Sequence, residues 1–213
     1  MSRFRDSAGG EGSILILSAP SGSGKSTIIR RLLAASPELE FSVSYTTRAP
    51  RAGEKDGKDY VFVGPKRFRR MVAGRGFAEW AKVYGNYYGT PLRPLQVARR
   101  AGRNILLDID VQGHRKVRRR CPEAVSVFLM PPSYRELTRR LKQRKSDGPE
   151  AIARRLRTAH QELRCWSEYD YVVVNDDVRR AVRALNAILT AARLRRENQR
   201  REIGRILKRF GGS

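Results

Sequence analysis

Apolar residues in this chain fall in short, nearly unbroken blocks: Ile14-Leu15-Ile16-Leu17, Ile105-Leu106-Leu107, Val125-Ser126-Val127-Phe128-Leu129 and Tyr171-Val172-Val173-Val174. Continuous apolarity over so few residues marks strands covered on both faces, as in a parallel sheet, rather than half-exposed strands that alternate. The stretches between them switch to helical spacing. Ile28, Ile29, Leu32 and Leu33 form one stripe, ended by Ser36-Pro37, and Phe68, Met71 and Val72 form another, opened by Pro65 and closed by Gly74. Thr90 is suited to cap a helix that starts at Pro91. Further helices are expected over 111–120, from Tyr134 to Arg144 behind the cap Ser133, from Pro149 to Leu163, and along Val178, Val182, Leu185 and Leu189. Strand alternating with helix predicts an α/β fold, a parallel sheet with helices on both faces. Shorter strands at 41–47, 60–63 and 77–83 look antiparallel and predict an inserted subdomain.

One block leads straight into chemistry. After the first apolar run come Ala19-Pro20-Ser21-Gly22-Ser23-Gly24-Lys25-Ser26-Thr27, the pattern G-x-x-x-x-G-K-[ST] with alanine in its first position. A strand, a glycine turn and a helix start aim backbone N–H groups and the positive end of a helix dipole at one point, which suits polyphosphate. Lys25 can reach the β- and γ-phosphates, and the Ser26 hydroxyl can ligate Mg²⁺. Gly22 and Gly24 supply the backbone freedom that the turn needs. The second apolar strand ends in Asp108-Ile109-Asp110, the place where a nucleotide-binding sheet brings a carboxylate toward the metal.

Charge changes the picture next. The 213 residues hold 45 Lys and Arg against 21 Asp and Glu, a net charge of +24. Such a field draws polyanions, so a nucleotide site and a weak nucleic-acid surface are both expected. The length suits one domain with a sizeable core. No apolar run is long enough to span a bilayer, and residues 1–12, rich in glycine, read as a flexible lead-in without a secretory core; a cytoplasmic location is expected. Cys121 and Cys165 read as free thiols, and His114 and His160 are isolated. From Arg193 onward Leu194, Ile203, Ile206, Leu207 and Phe210 make a basic amphipathic helix, either docked with a solvated basic side or in contact with nucleic acid or an anionic membrane.

Phosphoryl transfer requires the acceptor to be held as firmly as the donor. Arg48 and Arg51 stand three apart on an irregular loop with Pro50 between them, so both guanidinium forks can turn onto one phosphate. Arg140, Arg144, Arg154 and Arg155 flank a break at Ser146-Asp147-Gly148-Pro149 and could close over phosphates from a hinged lid. Glu79 shares a strand face with Phe77, Ala81 and Val83, an odd place for a carboxylate unless it is a ligand group or at a sheet edge.

The turn APSGSGKS, the run SYTTRAPRAGEKDGKDY from Ser44 to Tyr60, Phe77-Ala78-Glu79-Trp80, Gly85-Asn86-Tyr87-Tyr88-Gly89, Ile105 to Asp110 and Val174-Asn175-Asp176 together resemble the guanylate kinase family over about residues 13–190. The resemblance implies a P-loop nucleoside monophosphate kinase fold, with a core of 13–40, 91–132 and 165–190, a GMP-binding insertion at 41–90, a lid at 133–164 and a basic extension at 191–213. It implies transfer from ATP to GMP with Mg²⁺. Ser44, Arg48, Arg51, Tyr60 and Tyr88 would bind the GMP phosphate, with Gly89 beside them. Glu79 and Thr90 would read guanine, whose N–H donors suit an acceptor-only carboxylate. Asp108, and Asp110 beside it, would lie near acceptor and metal; Glu54 would buttress the arginine loop or touch the nucleotide. Lys25, Arg51, Arg144 and Arg155 would stabilise the migrating phosphoryl, and Asn175 and Asp176 would hold the donor adenine. Tyr45, Lys145 and Gly148-Pro149 depart from the family pattern, the last three in the lid hinge. A binding module of the same fold that has lost turnover is the alternative, and an intact Gly-Lys-Ser turn speaks for the enzyme. The sequence sets no oligomeric state.

Overall fold

The computed structural model describes residues 10–83, 85–143 and 149–210. In chain order its elements are β1 (Ile14–Ser18), α1 (Lys25–Ala35), β2 (Leu39–Phe41), β3 (Tyr45–Thr46), β4 (Val61–Phe62), α2 (Pro65–Ala73), β5 (Phe77–Val83), β6 (Asn86–Pro91), α3 (Leu92–Arg100), β7 (Asn104–Asp108), α4 (Val111–Arg120), β8 (Val125–Met130), α5 (Tyr134–Lys142), α6 (Pro149–Leu163), a 3₁₀ turn (Arg164–Glu168), β9 (Tyr171–Val174), α7 (Val178–Arg193) and α8 (Arg196–Phe210).

β2, β7, β1, β8 and β9 lie side by side in that order, all parallel, with Leu15 level with Leu106 on one neighbour and with Val125 on the other. The period of two along each strand splits its apolar residues between two layers. Leu15, Leu17, Leu106, Val127 and Leu129 pack against Ile28 and Leu32 of α1 and Leu185 and Leu189 of α7. Ile14, Ile16, Ile105 and Leu107 pack on the opposite face against Leu95 and Ala98 of α3 and Val117 of α4. The strand order turns back at β1, so a crevice opens beyond its carboxyl end, where doubly wound sheets bind ligands.

The second sheet runs β4-β3-β6-β5 and folds over Phe68 of α2, which stacks on Phe77 and Tyr87. Several expectations need correction here. The single strand over 41–47 is two: Leu39–Phe41 extends the parallel sheet as its edge, and after residues 42–44 the chain enters the other sheet at Tyr45. The small sheet is mixed rather than antiparallel, because β3 and β4 are parallel. Thr90 does not cap a helix. Both Thr90 and Pro91 complete β6, and Pro91 precedes the first helical residue, Leu92. The last strand is not buried: only Val173 of β9 is, since the strand forms the sheet's other edge.

Ser133 and Asp177 cap α5 and α7 by accepting from Glu136 N–H and Arg180 N–H. α8 does form, but its apolar stripe does not dock: Ile203, Ile206, Leu207 and Phe210 are exposed. Polar groups hold it instead. Asn198, buried, accepts from Glu11 N–H and donates to Ala192 O at 2.8 Å and Ser13 Oγ at 3.2 Å. Among the described residues no helix is long and apolar enough to cross a membrane.

Candidate active site

β1 delivers the chain to Ala19, and the turn that follows packs its glycines hard against other elements. Gly22 and Gly24 have φ of 90° and 86°, left-handed values that side chains rarely adopt. A Cβ on Gly22 would lie 2.9 Å from Leu141 Cγ of α5, and one on Gly24 would lie 2.7 Å from Asn175 Nδ2. Gly24 stands at the N-cap of α1 without a side-chain cap, so the first N–H groups of that helix face an open cavity of about 320 Å³ lined by Ala19, Pro20, Ser21, Lys25, Ser26 and Thr27. The Ser26 hydroxyl is exposed at its edge.

Lys25 Nζ pairs with Asp108 Oδ1 at 2.5 Å and lies 3.5 Å from Ile109 O, which joins the end of β1 to the end of β7. Asp110 is drawn elsewhere. Its Oδ1 accepts from Gly113 N–H at 2.7 Å and caps α4. Oxygen donors such as Ser26 and Asp108 suit Mg²⁺, which is usually bound by one or two protein groups together with substrate phosphates. No cluster of three or more metal-ligating His, Cys, Asp or Glu occurs among the described residues.

Asn175, at the end of β9, is 2% exposed, and its Nδ2 donates to Ser23 O at 2.7 Å. Arg140 of α5 donates to the same carbonyl at 3.2 Å and to Asn175 O at 3.3 Å, while its Nε is held by Glu136 at 2.7 Å. These residues therefore brace the glycine turn from below. Asp176 is exposed and pairs with Arg180 on the first turn of α7.

The 47–60 loop carries the two arginines expected to meet an acceptor. Arg48 Nη2 donates to both oxygens of Glu54 at 2.7 and 3.0 Å, Nη1 donates to Ala49 O at 2.7 Å, and the guanidinium lies 5.5 Å from the Tyr60 ring centre. Glu54 Oε2 also accepts from Arg51 N–H at 2.7 Å, so one carboxylate ties both arginine positions of the loop together. The paired Arg48 holds the Glu54 carboxyl below the usual carboxylate range, and Glu54 in turn raises Arg48. Tyr60 and Tyr88 meet edge to face at 5.9 Å, and Tyr88 also favours the charged form of Arg48. Burial raises the Tyr60 phenol. The Arg51 side chain is exposed, and Ser44 is half-buried with its carbonyl accepting from Val61 N–H at 2.9 Å.

Glu79 on β5 accepts from Thr90 Oγ1 on β6 at 2.7 Å. Burial pushes its carboxyl up, and the nearby charge of Asp110 adds to the effect. Gly89, next to Thr90, is buried beneath Phe77 and Phe68 and leaves room for their rings. Arg155 is half-buried on α6; Arg144, Lys145 and Gly148 lie outside the described residues. Glu162, also on α6, lines the glycine-turn cavity beside Lys25. It escaped sequence reasoning because a carboxylate in a helix rich in charges reads as solvated surface.

A parallel α/β sheet with a phosphate cradle at its switch point, a second sheet carrying an arginine loop, and a helix pair over the cradle define a P-loop nucleoside monophosphate kinase. Residues 11–192 match the family profile "Guanylate kinase". The chain is 48% identical over 195 residues to a guanylate kinase of Syntrophotalea carbinolica, covering 92% of this chain and 93% of that one. It is 49% identical over 185 residues to a guanylate kinase of Geobacter sulfurreducens, covering 87% and 91%. The crystal structure of guanylate kinase from Anaplasma phagocytophilum superposes with a TM-score of 0.70 at 38% identity, covering 89% of this chain and 90% of that one. The chain belongs to the guanylate kinase family.

Proposed function

We propose that the protein transfers the terminal phosphoryl of ATP to GMP or dGMP, giving ADP and GDP or dGDP. The observation that carries this reading is Glu79. A carboxylate set in a sheet and steadied by Thr90 at 2.7 Å offers acceptor lone pairs to the N1–H and N2–H of guanine, where adenine has only the N1 lone pair and a C2–H. The 48–60 loop holds the acceptor phosphate, with Arg48, braced by Glu54, and Arg51 turning guanidinium N–H groups from solvent to phosphate oxygens, and Ser44, Tyr60 and Tyr88 adding hydroxyls. The glycine turn holds the donor phosphates through its N–H groups and Lys25. Arg155, with Arg144, supplies positive charge from the lid as the phosphoryl migrates. Placement and charge stabilisation suffice, without a covalent intermediate.

Mg²⁺ would be held by Ser26 and Asp108 and would supply neutralisation of the donor's phosphate charge. We place the reaction in the cytoplasm, where Cys121 and Cys165 stay free thiols. The division into a core, a GMP-binding insertion at 41–90, a lid at 133–164 and a basic extension belongs to the same reading. The intact Gly-Lys-Ser turn disfavours a module that binds without turnover.

The test is ADP release from ATP with GMP, dGMP, AMP, UMP or dUMP as acceptor. Release with GMP and dGMP alone is expected, and absence of GMP-dependent release overturns the reading. A second reading, weak nucleic-acid contact, is favoured by a cleft of about 890 Å³ between α8 and the sheet edge, where Arg100, Arg103, Arg201, Arg205 and Lys208 outnumber Glu38 and Glu40. RNA affinity should fall steeply with salt and weaken when 193–213 is removed; unchanged affinity after truncation overturns it.

A further inference from the structure

The glycine turn is already in contact with anions of the protein's own making. Asp108 sits on Lys25 at 2.5 Å, and Glu162 reaches into the cavity from α6. Glu162 is the single residue from outside the turn and its helix to line that cavity among the described residues. Its Oε2 is buried without a hydrogen-bond partner; burial pushes the carboxyl up and the charge of Asp110 adds to this, while the Ser21 N–H of the turn and Lys25 pull it back toward the charged form. A buried carboxylate left half-satisfied is costly, so a position like this needs a reason.

Helix geometry supplies one. Arg155 and Glu162 are seven residues apart in α6, two turns along one face, so whatever fixes Glu162 also fixes the direction in which Arg155 points. The helix pair packs as a unit. Leu156, Ala159 and Leu163 of α6 pack on Leu137 and Leu141 of α5, and those two leucines are the side chains that a Cβ on Gly22 would strike at 3.1 and 2.9 Å. The lid pair therefore rests on the turn itself, with one carboxylate inserted where a phosphate would go.

We propose that Glu162 is a positioning residue that holds the place of the donor's phosphates while the cradle is empty. An arriving polyphosphate takes the Ser21 N–H and brings like charge against Glu162, which is expelled. The expulsion carries α6, and with it Arg155, into the arrangement used for transfer. Donor binding and lid position are thereby coupled through one like-charge contact. The proposal rests on the reading of the turn as a polyphosphate site and adds to it the device that reports occupancy to the lid.

The test uses inorganic tripolyphosphate, which has no base or sugar, on the full chain by calorimetry. Trp166, half-exposed in the 3₁₀ turn that continues α6, serves as a fluorescence reporter in a Trp80→Phe background. Glu162→Gln keeps the shape and removes the charge. It should bind tripolyphosphate about three- to tenfold more tightly, since less of the protein is held in the self-occupied state. Its Trp166 emission without ligand should already sit near the liganded value. Glu162→Asp keeps the charge and should stay within about twofold of the parent, with the full fluorescence change. Equal affinity of the parent and the Gln variant, or equal tightening by Gln and Asp, overturns the proposal. Tripolyphosphate binding to none of the three overturns the cradle reading beneath it, whereas normal binding with an immobile Trp166 signal in the parent overturns the coupling alone.

Discussion

Thr90 and Glu79 face each other across the β5–β6 ladder, and the Thr90 hydroxyl donates to Glu79 Oε1 at 2.7 Å. The pair explains why a carboxylate can occupy an apolar strand face: one oxygen is satisfied by the sheet, which leaves the other as the acceptor that the proposed guanine contact would use. Glu79→Gln replaces one acceptor by a donor at the base edge. The KM for GMP should rise by about tenfold or more, and the preference for GMP over AMP should shrink by a similar factor, with kcat falling less. Steady-state kinetics on both acceptors decide it. An equal loss of activity on GMP and AMP would contradict the assignment to guanine.

Glu54 has a different task. Bonded to Arg48 through both oxygens and to the Arg51 N–H, it fixes the shape of a loop that has no regular structure of its own. Glu54→Gln weakens the charge-assisted bonds and should raise the KM for GMP about fivefold, with kcat nearly unchanged. A fall in KM would mean that Glu54 competes with the acceptor phosphate for Arg48 and that its bracing role is secondary.

Asn175 acts on the donor side from beneath. Its amide and Arg140 share the Ser23 carbonyl at 2.7 and 3.2 Å. Asn175→Ala removes a buried hydrogen bond worth about 1–2 kcal/mol and loosens the turn, so stability should drop by about that amount and the KM for ATP should rise. Asn175→Asp sets a carboxylate against the carbonyl and should be worse than Ala on both measures. Thermal unfolding together with ATP titration separates this from a role confined to the base, which would leave the free protein's stability unchanged.

The parallel sheet was legible because its strands are continuous apolar runs, and the cradle because Gly-Lys-Ser follows one of them. Glu79 stood out as a carboxylate on an apolar strand face, and Arg48 and Arg51 as two arginines three apart on a loop with a proline between them. What stayed hidden is long-range. Leu39–Phe41 pairs with Asn104–Leu106, a contact that no local periodicity encodes. Thr90 carries a good cap residue's chemistry, yet its hydroxyl is claimed by Glu79 across the ladder, so tertiary pairing overrode the local preference. Arg140 and Glu162 look like two more charges on charged helices, and only the packing of α5 and α6 over the turn sets them apart. The stripe on α8 has the right spacing for docking, but the helix is fastened by Asn198 and leaves the stripe exposed.

Lys25 links the ends of β1 and β7 through Asp108 at 2.5 Å, and in the proposed reaction its charge passes to the donor phosphates. Lys25→Ala should lower kcat by about 10²–10³, the loss typical of removing one preorganised charge from a transition state, while the KM for GMP changes little. Arg155→Ala should act in the same direction. Pre-steady-state mixing with excess ATP checks that the chemical step is the one slowed. A variant defective only in ATP affinity, with kcat restored at saturation, would reduce Lys25 to a binding group.

His114 on α4 tests the core rather than the site. It is buried, stacks on Tyr169 with ring centres 3.9 Å apart, and neither ring nitrogen has a hydrogen-bond partner. Burial lowers its pKa below the ordinary 6.5, with the nearby charge of Arg118 acting the same way, although Glu168 and Asp170 pull it up. The unfolded chain therefore binds a proton near pH 6 that the folded one resists. The contribution is fully present above the unfolded value and is lost as pH falls through 6.5 toward the lower folded value. Urea midpoints should fall between about pH 8 and about pH 5.5, a window above the range in which the carboxylates titrate. His114→Phe keeps a flat ring against Tyr169 and removes the titrating group, so its midpoint should change much less over the same window. Parallel pH dependence in the two proteins would show that His114 takes up its proton alike in the folded and unfolded chain, Glu168 and Asp170 offsetting the cost of burial, and would contradict the lowered pKa.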